Sequence, residues 1–144
     1  MIVYTVGTFD RLHVGHLRLL EHSQKLGSVV AVGVASDRVV HSYKPNKPVI
    51  PLEQRMQMLR ALRCVDIVIP YYDLEYVSGC RTVAADIFVV GEDWGTKAHN
   101  LAVEAYLLDQ GSEIVKVQYD LRTSSTQIKQ TVMAQPARKL AVAV

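Results

Sequence analysis

The apolar positions of the chain fall into two alternating patterns. Short unbroken runs rich in β-branched residues occupy residues 2–6, 28–35, 65–69, 86–90 and 113–117. They are too short for helices and read as strands, and the second has the continuous apolar character of a parallel strand buried on both faces. Between them lie stretches with apolar residues at helical spacing: residues 17–26, 51–63 with Met56, Leu59 and Leu62 in step, 74–83, and 98–109. Gly27 and Gly111 are stop signals for the helices they follow, Pro51 suits a first helical turn, and Pro70 ends the third strand. Residues 36–38 open a polar loop that runs through Lys44-Pro45-Asn46-Lys47-Pro48, where two prolines exclude a regular helix. This alternation predicts one Rossmann-like α/β domain, a five-stranded parallel sheet of order 3-2-1-4-5 with right-handed crossovers and helices on both faces. The domain spans residues 1–133, and residues 134–144 form a tail whose pattern does not belong to the sheet.

Composition changes this picture little. A length of 144 residues with 49% hydrophobic and 21% charged side chains is ordinary for one globular domain. A net charge of +2 argues for neither nucleic acid nor a membrane surface as partner, so basic character has to be local to a site. The longest apolar run is far short of a membrane span. Cys64 and Cys80 lack metal-ligand spacing, and a chain with no secretory leader is expected to be cytoplasmic with both thiols reduced.

The chemistry concentrates between the first strand and the first helix, in Gly7-Thr8-Phe9-Asp10-Arg11-Leu12-His13-Val14-Gly15-His16. A strand–loop–helix junction directs helix N–H groups into the crevice beyond the strand's carboxyl end, which favours a phosphate. Gly7 permits a close approach to the main chain, Gly15 keeps the helix start slim, and His13 and His16, three residues apart, share a face. Two imidazoles there can give a phosphate charge-assisted hydrogen bonds.

This stretch resembles the signature of the nucleotidyltransferases with a His-x-Gly-His motif, nearest to their glycerol-3-phosphate cytidylyltransferase group, and the resemblance covers about residues 2–133. It implies that His13 and His16 act on a triphosphate and that Lys44 and Lys47 contact substrate phosphates. It also implies that Arg63, two residues before Val65-Asp66, is functional, with Asp66 holding it by ion pairing. Gly91-Glu92-Asp93-Trp94 is similar to a segment lining the nucleotide pocket, with Gly91, Asp93 and Trp94 as binding residues. The final motif maps to Arg122, Thr123, Ser124, Ser125 and Thr126, although the loop within it is shorter than the family's. Ser and Thr there also cap a helix, and arginine recognises phosphate in a forked geometry. Arg55 and Arg63, from helical position alone, are surface residues. Arg81 is the only basic residue in 71–85, where the family carries one that touches the acceptor.

The implied activity is CMP transfer from CTP to a small phosphorylated alcohol, glycerol 3-phosphate first, with pyrophosphate released, Mg²⁺ accompanying the CTP, and a homodimer as the assembly. The alternative is adenylyl transfer from ATP to an acceptor such as heptose 1-phosphate or FMN, and residues 47–55 resemble the nucleotidyltransferase part of a heptose-phosphate enzyme. A non-catalytic nucleotide-binding module is the third reading. His13, His16 and Arg63 argue against it.

Overall fold

The computed structural model describes residues 1–43 and 48–118. In chain order the elements are β1 (Ile2–Gly7), α1 (Val14–Leu26), β2 (Val29–Ala35), α2 (Asp37–Tyr43), α3 (Leu52–Arg60), β3 (Ile67–Tyr71), α4 (Val77–Val83), β4 (Ile87–Gly91), α5 (Ala98–Gln110) and β5 (Glu113–Val117). All five strands are parallel and run β3-β2-β1-β4-β5, the expected order. β1 is central because its neighbours on both sides bury it, and every carboxyl end opens on one edge of the sheet. Lys44, Lys47, Arg122, Thr123, Ser124, Ser125, Thr126 and the tail at 134–144 lie outside the described residues.

Side-chain alternation along the strands divides the core in two. Tyr4, Ala31, Phe88 and Val90 pack with Cys80 and Val83 of α4 and Val103 and Leu107 of α5. The other face carries Val30, Val32 and Val34 against Leu20 of α1 and Met56 and Leu59 of α3, and Val3, Ile87 and Val89 against Leu19 of α1.

β3 begins at Ile67 rather than 65, α3 ends at Arg60 rather than 63 and α4 starts at Val77 rather than 74, and two further departures from the sequence reading have a clear physical cause. Residues 37–43 form α2 rather than a loop, because the Ser36 hydroxyl accepts the Val39 N–H at 3.2 Å and Val39 and Val40 are buried. Pro70 lies inside β3, opposite Val34, rather than ending it. β3 is an edge strand, so a proline that cannot donate to a ladder is tolerated there.

The close fit of α4 to the sheet depends on two glycines. A Cβ placed on Gly33 of β2 or on Gly79 of α4 would overlap the Tyr4 hydroxyl, and Tyr4 is almost completely buried. Gly33→Ala and Gly79→Ala are each expected to lower unfolding free energy by about 1–3 kcal/mol, the usual cost of overpacking. In thermal unfolding both should melt below the parent. Gly95→Ala, whose Cβ meets Asn100 at an ordinary 3.4 Å, should not.

Candidate active site

The loop between β1 and α1 is built around two non-glycine residues in left-handed backbone conformation, Phe9 at φ 53° and Arg11 at φ 50°. Each such residue costs about 1–3 kcal/mol and persists only where surrounding structure holds it. Phe9 is held by burial, its ring 5.3 Å from that of His16. Gly7 is required beneath it, since a Cβ there would come within 2.9 Å of the Phe9 ring. Asp10 accepts the Val49 and Ile50 N–H groups at 2.9 and 3.0 Å, fastening the segment before α3 to this loop.

Arg55 completes the fastening. Its side chain has no exposed surface. Nε donates to the Ile50 carbonyl at 2.8 Å, Nη1 to the Thr8 and Ala35 carbonyls at 2.7 and 2.8 Å, and Nη2 to the Asp37 carboxylate at 2.6 Å. One guanidinium thus joins the loop after β1, the end of β2, the start of α2 and the turn into α3. The surface position expected for it is corrected: the carbonyls and the carboxylate that occupy its donors make a buried guanidinium stable there.

His13 is the N-cap of α1. Its Nδ1 accepts the Gly15 N–H at 3.1 Å, and His16 Nδ1 accepts the His13 N–H at 3.2 Å, so the two imidazoles close a reciprocal capping box. Their rings stack with centroids 3.8 Å apart. An Nδ1 that accepts carries no proton, which assigns the proton of each neutral ring to Nε2. Burial, and after it the Arg11 charge, hold the His13 pKa below the ordinary histidine value. The buried Nε–H of Arg11 has no hydrogen-bond partner among the described residues, a donor an anion would satisfy.

The crevice is open on the β5 side. A cavity of about 530 Å³, within the ordinary range for ligand pockets, lies between α1 and the end of β5, lined by Gly15, Arg18, Leu19, His22, Lys116, Val117 and Gln118. Glu92 borders an adjoining depression. Gly91 is buried as the last residue of β4, while Glu92 and Asp93 are exposed. Trp94 turns inward: its ring meets Phe88 edge-on at 5.6 Å, and its indole N–H donates to Glu104 at 2.7 Å. That is the geometry of a structural plug, which leaves only its ring for a ligand.

Gly7, Thr8, Phe9, Asp10, His13, Gly15 and His16 are thus brought together. Arg63 is not among them. It is exposed between α3 and β3, at the amino ends of the strands. Asp66 does not pair with it; its carboxylate accepts the Val30 N–H at 2.8 Å where β2 begins. Arg81, in the last turn of α4, lies 5.3 Å over the Tyr106 ring. Among the described residues no group of three His, Cys, Asp or Glu side chains could hold a metal ion, and no helix is long and apolar enough to cross a membrane.

A family model described as cytidylyltransferase-like matches residues 4–131. The chain is 35% identical over 138 residues to "Bifunctional protein HldE" of Pectobacterium carotovorum and 36% identical over 132 residues to that of Yersinia pestis, covering 95% and 91% of this chain. It spans only 28% and 27% of those proteins' lengths. The crystal structure of a lipopolysaccharide core biosynthesis protein from Thermoplasma volcanium superposes with a TM-score of 0.68 at 25% identity, covering 83% of this chain and 96% of that one. These relatives are HldE proteins rather than members of the glycerol-3-phosphate cytidylyltransferase group, the nearest resemblance expected from the motifs.

The lowered pKa of His13 has a sign that can be tested. The unfolded chain takes up its proton near the ordinary histidine pKa before the folded chain does, so stability falls as pH drops through that value and levels off below the folded pKa. His13→Asn keeps a strong N-cap without a titrating group. Chemical denaturation between pH 8 and 5 should show a shallower loss of stability for the variant than for the parent.

Proposed function

This chain belongs to the cytidylyltransferase-like family, and on that premise we propose that it transfers an adenylyl group from ATP to a sugar phosphate, releasing pyrophosphate. The observation that carries the reading is the pair of stacked histidines whose Nδ1 atoms accept main-chain N–H bonds, which makes Nε2 the proton-bearing atom of both. The similarity to HldE proteins and to a lipopolysaccharide core biosynthesis protein supports a sugar acceptor, as does the stretch at 47–55.

In this reading an oxygen of the acceptor phosphate attacks the α-phosphorus. A new phosphorus–oxygen bond forms as the bond to the leaving pyrophosphate breaks. Negative charge grows on the leaving group and is spread over the phosphoryl oxygens, so the enzyme's work is positioning and charge stabilisation. His13 and His16 donate from Nε2 to those oxygens. The N-terminus of α1 and Arg11 add positive potential, and Lys44, Lys47, Arg122 and the hydroxyls of Thr123, Ser124, Ser125 and Thr126 complete the proposed donor set. Mg²⁺ would arrive on the triphosphate, neutralising its charge.

CMP transfer from CTP to glycerol 3-phosphate is the second reading, favoured by the likeness of Gly91-Glu92-Asp93-Trp94 to the cytidylyl branch. A second copy of the chain is the proposed partner, seated on the β3 edge, where Met58 and Ile67 are exposed. Sedimentation as a monomer at micromolar concentration would remove the dimer from the proposal.

Pyrophosphate release measured with ATP and CTP, each against heptose, hexose and glycerol phosphates and FMN, decides between the two. ATP with a sugar phosphate is expected to turn over fastest, and His16→Ala to lower that rate by about a hundred-fold or more in a folded protein. Fastest turnover with CTP and glycerol 3-phosphate would move the assignment to the second reading. Release with no pair would overturn both.

A further inference from the structure

Two arginines meet at the loop between β1 and α1, and the fold treats them differently. Arg55 has no exposed surface, and each nitrogen of its guanidinium donates to a carbonyl or a carboxylate. Arg11 belongs to the loop itself, in left-handed backbone conformation at φ 50°, with 28% of its side chain open to solvent. Its Nε is nevertheless fully buried, and it is the one buried side-chain polar atom among the described residues without a hydrogen-bond partner. Buried donors in folded proteins are almost always paired. An orphan in a loop already held in an unfavourable backbone region marks a place where binding, not stability, accounts for the residue.

The neighbouring carboxylate does not satisfy Arg11. Nη2 lies 3.9 Å from Asp10 Oδ2, beyond hydrogen-bond reach, and both Asp10 oxygens already accept main-chain N–H groups, from Val49 and Ile50. The Arg11 charge also reaches His13, where it is the second cause, after burial, of the lowered pKa. The guanidinium therefore stands close both to Asp10 and to the imidazole whose Nε2 carries the proton. The Nε–H and an Nη–H of a guanidinium form a planar fork that fits two oxygens of one phosphoryl group. With His13 Nε2 as a third donor, the set matches the three oxygens such a group carries.

We propose that Arg11 binds substrate directly, its Nε and an Nη nitrogen donating to two oxygens of one phosphoryl group beside His13. This rests on the nucleotidyl-transfer reading for the identity of that group, which belongs to ATP or to the sugar phosphate, and goes beyond it by making Arg11 a forked contact rather than a share of the positive potential. The energetic signature is opposite to that of Arg55. The free chain is less stable for holding an unpaired donor in a left-handed loop, and phosphate binding removes that burden. Taking the guanidinium away leaves the fold at least as stable as the parent and abolishes the stabilisation that phosphate gives.

Binding and stability rather than turnover test it. Arg11→Met keeps an unbranched side chain and removes the donors, and Arg11→Lys keeps the charge and removes the fork. A non-hydrolysable ATP analogue and mannose 1-phosphate are each titrated calorimetrically into the parent and both variants, and thermal unfolding is followed with and without inorganic phosphate. Arg11→Met is expected to melt at or above the parent without phosphate and to gain nothing from it. It should bind one of the two titrated ligands about ten-fold more weakly or worse, and Arg11→Lys about three-fold more weakly or worse. The ligand that loses affinity identifies the source of the phosphoryl group. In ¹H–¹⁵N spectra the Arg11 Nε–H signal should shift when that ligand binds, while that of Arg55, already bonded to the Ile50 carbonyl, stays in place. Arg11→Met melting below the parent would make Arg11 structural and overturn the proposal. So would a parent that binds neither ligand, unchanged affinity for both in Arg11→Met, full affinity in Arg11→Lys, or an Arg11 signal indifferent to bound ligand. Binding as expected with no pyrophosphate release from any substrate pair would leave the phosphate contact standing and remove the transfer reading.

Discussion

The loop that carries the two histidines, the end of β2 and the entries to α2 and α3 depend on one fully buried positive charge. The Arg55 guanidinium takes carbonyls from the β1 loop, the end of β2 and the turn before α3, together with the Asp37 carboxylate. A cation in that position is stable only with its donors occupied, and leaving one end of such a pair unmatched costs about 3–5 kcal/mol. The four segments are therefore fixed relative to one another by the same residue. Asp10 repeats the principle from the loop side, spending its carboxylate on Val49 and Ile50.

That fixation explains how the loop can carry two left-handed non-glycine residues and still present a defined surface. Phe9 folds its ring down onto Gly7 and against His16, and Arg11 turns back beside His13. The histidines then satisfy the first N–H groups of α1 with Nδ1, so helix capping and tautomer selection are one event. A backbone requirement at the helix start decides which nitrogen is left to carry the proton.

The fold was legible in the sequence because its strongest signals are long-range consequences of short patterns. The unbroken apolar run of β2 can only belong to a strand covered on both faces, and Gly111 closes α5 with the left-handed conformation its position suggested. What escaped the sequence was decided by partners. α2 owes its existence to the Ser36 cap and to burial of Val39 and Val40, and Pro70 is tolerated only because β3 is at the edge. Within the site, the His13 and His16 pairing followed from spacing. Arg55 could not be told from Arg63 by helical position, since each sits in an apolar-periodic stretch and only the carbonyls waiting for Arg55 separate them. Trp94 offered both a ligand face and a plug, and Glu104, ten residues on, engages its indole N–H.

The central claim is that the Arg55 staple holds the β1 loop so that both histidines keep their proton on Nε2. Long-range ¹H–¹⁵N correlation spectra of the imidazoles at pH 7.5 read the tautomer of each ring directly. The account predicts Nε2-protonated neutral rings for His13 and His16 in the parent chain, and loss of that single tautomer in a folded Arg55→Lys variant, whose ammonium cannot span the same acceptors. Rings protonated on Nδ1 in the parent, or spectra unchanged by the substitution, would contradict it.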